Sequence, residues 1–253
     1  MEPAAPGEPP RFPIDPARQT WGLGDVAVGI LASMFLSLFV GGLIIEVAGW
    51  SSNGEVRVPI WGQGLLQLPL WAGYLGVALW ATREKGTGPV RDLGLGAHPI
   101  DAPLGLLIGV ATQLLLLPLI YVPIFWLTGA DTDELSAPAR ELAGRADGTF
   151  GWVVFALMVG LGAPVVEELF YRGLLMRSLQ KRGMQGWAAV VVAAAVFAAV
   201  HLQGLQLAGL FAFGFVAGAL AYRSGRLGPA IWAHVGFNLT TVVVLYLQPE
   251  SLT

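Results

Sequence analysis

Seven apolar runs, each long enough to cross a hydrocarbon layer as a helix, limit what this chain can become. About 20 apolar residues at 1.5 Å each cover the ~30 Å of a bilayer core. The runs lie at 24–47, 60–82, 103–128, 151–178, 187–203, 205–223 and 228–247. Inside lipid every backbone N–H and C=O needs a partner within the protein, so such runs fold as helices. Composition agrees: 55% of residues are hydrophobic and 12% charged, about half the charged fraction of an average soluble domain. The expected fold is all-α, a polytopic transmembrane helix bundle of about seven spans set in a lipid bilayer.

The flanks of these runs carry the rest of the plan. Residues 1–20 hold Pro3, Pro6, Pro9, Pro10, Pro13 and Pro16 without apolar periodicity and are expected to form a disordered extension. Residues 21–150 then supply N-terminal transmembrane helices, and 151–247 a second unit in which the polar residues concentrate. An acidic start followed by a long first run argues against a cleaved signal peptide. Trp21, Trp50, Trp61, Trp80, Trp126, Trp152 and Trp187 fall near span ends, where indoles prefer the headgroup region. Arg83, Lys85 and Arg91, then Arg177, Lys181 and Arg182, then Arg223 and Arg226 occupy alternate loops, on the same side as Arg11 and Arg18. The positive-inside rule makes that side, and the N-terminus, cytoplasmic. The loop at 129–150 is acidic, with Asp131, Asp133, Glu134, Glu141 and Asp147, and faces out, as does the C-terminus.

Some chemistries are excluded or unsupported. A net charge of −3 offers nucleic acid no basic surface, and zero cysteines remove disulfides and thiolate ligands. Gly105 with Gly109, and Gly214 with Gly218, sit four apart, a spacing that permits close helix approach. Pro69, Pro118 and Pro123 are expected to kink their helices. No internal repeat is visible.

Ionisable residues inside the apolar runs are costly, at least ~2.5–3.5 kcal/mol for a carboxylate near the bilayer centre, and so mark function. Glu167 and Glu168 are adjacent, and Arg172 lies four beyond Glu168, where it can pair along one helix. Glu167 is turned about 100° away from Glu168 and is the carboxylate freer to react. His201 closes the fifth run, and His234 and Asn238 share one face of the seventh. Glu46 reads as interfacial and His98 as solvated.

The ordered set of three motifs resembles the CPBP family of intramembrane proteases, which includes CAAX proteases and Abi- and Rce1-like proteins. Its EExxxR pattern is matched by Glu167, Glu168 and Arg172, FxxxH by Phe197 and His201, and HxxxN by His234 and Asn238. The resemblance covers roughly 151–247, places the catalytic core in the last four spans, and implies a multi-pass protein of a prokaryotic cell membrane. It also implies an endopeptidase acting on a membrane-associated peptide or protein, of which lipid-modified CAAX-like chains are one class.

On that pattern Glu167 is the base for water, with His201 sharing or orienting the water. His234 and Asn238 stabilise the oxyanion, while Glu168 and Arg172 hold the helix in register. His201, His234 and a glutamate would also make a zinc ligand set, although no H-E-x-x-H helix requires one. Two other functions fit a polytopic chain with buried charges. One is a non-catalytic immunity or scaffold protein of the same family; the other is a proton-coupled transporter, which the missing repeat disfavours. The sequence leaves substrate, oligomeric state and metal open.

Overall fold

The computed structural model describes residues 17–52 and 55–248. Its helices are α1 (Leu23–Val47), α2 (Ile60–Glu84), a short α3 (Pro89–Leu93), α4 (Asp101–Thr128), α5 (Thr132–Ala143), α6 (Gly148–Lys181), α7 (Gly186–Val200), α8 (Leu207–Ser224) and α9 (Gly228–Leu247). A small antiparallel ladder, β1 (Ser51–Ser52) with β2 (Glu55–Val56), joins α1 to α2 and sets Ser51 opposite Val56. The protein is an all-α polytopic bundle.

Six helices, α1, α2, α4, α6, α8 and α9, are long and apolar enough to cross a membrane. The fifth expected span falls short: α7 has 15 residues, about 22 Å of helix. The pass is still made, because the turn at 201–206 completes it. Arg177 near the end of α6 bonds the Gly225 carbonyl after α8, whereas Gln206 before α8 bonds the Leu135 carbonyl of α5 at the opposite end. The count of full helical spans is thus six where the apolar runs suggested seven.

All the basic-loop segments meet at one end of the bundle, and Asp92 is their hub. Its buried carboxylate accepts from Gln19 Nε2 at 2.7 Å, Trp21 Nε1 at 3.0 Å and the Thr87 amide at 2.8 Å. Pro89 at the first position of α3 and Gly94 just past its end follow the usual order of start and stop residues. Gly94 has φ of +75°, and a Cβ there would collide with the Arg177 guanidinium, so both conformation and space call for glycine. Lys181 Nζ donates to the Gln19 and Trp21 carbonyls, and Lys85 pairs with Asp25 at 2.6 Å. Residues 1–16 of the expected disordered extension lie outside the described residues. Gln19 and Thr20, however, are held: Gln19 is buried, and the Thr20 amide bonds the Lys85 carbonyl.

Lipid offers no hydrophobic drive for helices to associate, so close backbone contact does much of the work. Both glycine pairs serve it. A Cβ on Gly105 or Gly109 would strike backbone of α9, at Pro229 and Ala233, and one on Gly236 would strike Leu106 of α4. Gly214 and Gly218 lie against Ala194 and Val190 of α7.

In α4 and in α6 a π segment is followed by a proline. In α4 the segment Thr112–Leu116 ends with the Leu117 amide bonded to the Thr112 carbonyl, one residue before Pro118. In α6 the segment Ala156–Gly162 ends with the Ala163 amide bonded to the Met158 carbonyl, one residue before Pro164. Proline lacks an N–H and its ring crowds the carbonyl four residues back; the wider turn moves that carbonyl aside. Pro69 and Pro123 sit within helical segments without such a turn.

Candidate functional site

Glu167 closes one turn of ordinary helix, Ala163–Glu167, lying between the Ala156–Gly162 π segment and a second one, Glu168–Met176. The two adjacent carboxylates therefore straddle a change of helical register, the kind of irregularity that recurs at functional sites. Leu227, just before α9, packs on Gly173 of α6. From that level the five residues back to Glu168 and the seven on to His234 cover comparable lengths of helix, so His234 meets the carboxylates.

The inner half of the site is closed and paired. Glu168 and Arg172 are fully buried, with Arg172 Nη1 donating to Glu168 Oε1 at 2.6 Å. Arg172 Nη2 also donates to the Gly214 carbonyl at 3.0 Å, and its guanidinium lies 4.6 Å from the Phe197 ring centroid. Arg172 is thus a core cation and does not reach for the membrane surface. His234 Nδ1 stands 2.9 Å from the same Glu168 Oε1. A carboxylate oxygen that accepts from arginine also accepts from the imidazole, which assigns the hydrogen to Nδ1. That leaves Nε2 directed outward, 3.8 Å from Glu167 Oε2.

Glu167 differs from its neighbour. Its side chain is 20% exposed where that of Glu168 is 0%. Phe213 and Phe197 wall the imidazole, with ring centroids 4.5 and 5.9 Å from His234.

The other two expected residues stand apart from this pair. His201 lies against Phe197 at 4.7 Å between centroids, and its Nδ1 is 2.7 Å from the Phe197 carbonyl of its own helix. It makes no ion pair with either glutamate. Asn238, expected at the oxyanion, instead donates Nδ2 to the Val159 carbonyl of α6 at 2.7 Å. Among the described residues no three His, Cys, Asp or Glu side chains gather closely enough to hold a metal ion. Phe197 packs against both histidines, and among the described residues the expected zinc ligand set is not assembled.

Several contributors carried no signal as candidate site residues. Tyr171, one turn beyond Glu167, meets Tyr74 of α2 hydroxyl to hydroxyl at 3.1 Å in the core. Phe197 belongs to a quoted motif, yet only packing reveals that it contacts both histidines. Pro164, three residues before Glu167, was the one legible cue to the irregular helix.

A family model described as type II CAAX prenyl endopeptidase Rce1-like matches residues 149–240, from the first turn of α6 into α9. No curated protein and no solved structure matches the chain.

Proposed function

We propose that this chain, which belongs to the CPBP/Rce1-like family of intramembrane proteases through residues 149–240, hydrolyses a peptide bond of a membrane-associated substrate with Glu167 as the base. The supporting observation is the 3.8 Å between Glu167 Oε2 and His234 Nε2. That is longer than a hydrogen bond and suited to a water bonded to both.

The steps balance around that water. Glu167 Oε2 takes one proton as the oxygen attacks the scissile carbonyl carbon. His234 donates a hydrogen bond from Nε2 to the oxyanion that forms. Glu168 and Arg172 orient the imidazole by fixing Nδ1, as a third group does in other hydrolytic sites. Collapse of the tetrahedral intermediate breaks the C–N bond, and Glu167 returns its proton to the leaving amine. His201, half-buried beside Phe197, is assigned to contact with substrate. The positive-inside loops put the N-terminus and the Asp92 end in the cytoplasm, in a prokaryotic cell membrane. Lipid-modified, CAAX-type peptides are the first substrate class to test.

The experiment is cleavage by the purified protein in proteoliposomes against matched lipidated and unlipidated peptides. Glu167→Gln should abolish turnover while the variant still inserts and melts like the parent. Cleavage retained by that variant would refute the assignment, and no cleavage by the parent of any peptide would point to a non-catalytic membrane partner.

A further inference from the structure

Asn238 has a different partner from the one its motif implies, and the reason lies in the helix it touches. In the π segment of α6 each amide bonds a carbonyl five residues back, as the Ala163 amide does with Met158. The next carbonyl in that series belongs to Val159, and its donor would be residue 164. Pro164 has no N–H. The Val159 carbonyl is therefore left without a donor from its own helix in this register, and a carbonyl inside a membrane cannot turn to bulk water. Asn238 Nδ2 fills that place at 2.7 Å. Gly160 lets the two helices come together there, since a Cβ on it would run into Leu239.

The consequence reaches Glu167. Asn238 and His234 are four apart on one face of α9, and they bond α6 at Val159 and at Glu168. Between those two ties lies the single ordinary turn Ala163–Glu167. Adding or removing one residue in the register of a helix rotates everything beyond it by about 100°. If the π turn relaxed, Glu167 would leave the His234 side.

We infer that Asn238 is a positioning residue: by supplying the donor that Pro164 lacks, it holds α6 in the π register that aims Glu167 at His234. This rests on the proposed protease reading for its catalytic meaning, but not for the bond itself. The oxyanion is then served by His234 Nε2, and Asn238 acts through α6.

The test is a double-variant cycle on the full chain in detergent and in proteoliposomes. Pro164→Ala restores an N–H that the Val159 carbonyl can use. Asn238→Leu, close to the same size but without a donor, should lower the melting temperature in the parent, and by less than half as much in the Pro164→Ala background. Equal losses in the two backgrounds would overturn the inference, whether or not the parent cleaves anything. If Asn238→Leu alone fails to accumulate, Pro164→Ala/Asn238→Leu should restore folded protein, and failure of both overturns it equally. Where the parent cleaves, Asn238→Leu assayed well below its melting temperature should lose at least tenfold in kcat with KM within twofold. A kcat loss without any melting loss would instead identify a direct oxyanion donor. Absence of cleavage by the parent counts against the protease reading alone, since the melting arms still judge the bond.

Discussion

Replacing Arg172 with Met tests whether the Glu168 pair is a support of the core or an ornament of it. The arginine is fully buried and makes two bonds, to Glu168 Oε1 at 2.6 Å and to the Gly214 carbonyl at 3.0 Å, over the Phe197 ring. Met restores much of the stem's packing but neither bond. Breaking a buried pair by removing one partner costs about 3–5 kcal/mol, because the remaining charge has no compensation. The lost bond to the Gly214 carbonyl, which lies inside the regular helix α8, belongs to the same loss and is worth ~0.5–1.5 kcal/mol when counted alone. Arg172→Met should therefore destabilise by about 4 kcal/mol. Glu168→Gln/Arg172→Met removes the stranded charge, so it should recover about 2 kcal/mol of that loss. The exposed pair of Arg145 and Glu141, at 32% and 74% side-chain exposure, is the control, and Arg145→Ala should cost no more than ~1 kcal/mol. Reversible unfolding in mixed micelles, titrated with a denaturing detergent, measures all three. An Arg172→Met loss within ~1 kcal/mol of the parent, or a double variant no more stable than the single, would refute the reasoning.

Three further outcomes follow from other parts of the structure. A side chain at Gly109 would sit 2.0 Å from the Ala233 carbonyl, so Gly109→Val should separate α4 from α9 and cost at least ~1–3 kcal/mol; Gly76→Ala, with nothing within 4 Å, should be silent in the same unfolding assay. Asp92→Asn removes an acceptor from Gln19, Trp21 and Thr87, and should expose Arg18 to faster tryptic cleavage in detergent while α1 to α9 stay protected. With no metal-holding cluster of His, Asp or Glu among the described residues, cleavage after exhaustive treatment with chelator should stay within twofold of the untreated rate. Activity lost to chelator and regained with zinc would show that the ligand set assembles with substrate.

Much of the bundle was legible from the chain because lipid makes severe local demands. The helical ends near Leu23, Ile60 and Gly228 match the apolar runs closely. The basic loops on one side do converge, around Asp92. That hub itself was invisible, since an aspartate outside the apolar runs looks solvated until Gln19, Trp21 and Thr87 are seen to aim donors at it. The glycine pairs were legible as permission for close contact. Which helix accepted the offer, α9 for Gly105 and Gly109, and α7 for Gly214 and Gly218, was not.

Within the site the pairing of Glu168 with Arg172 followed from a spacing of four on one helix, and the freer position of Glu167 followed from its rotation away. By itself the sequence determined that the chain is a polytopic helix bundle, which loops are basic, and that two histidines, two glutamates, an arginine and an asparagine share the last passes. Only the tertiary structure decided that α7 stops short, that Phe197 packs against both histidines, and that Asn238 turns to Val159. The cost of placing a residue in lipid adds up along the chain and can be read one position at a time. The direction in which a side chain points depends on the register of its own helix and the azimuth of its neighbour, and a proline that widens one turn alters both.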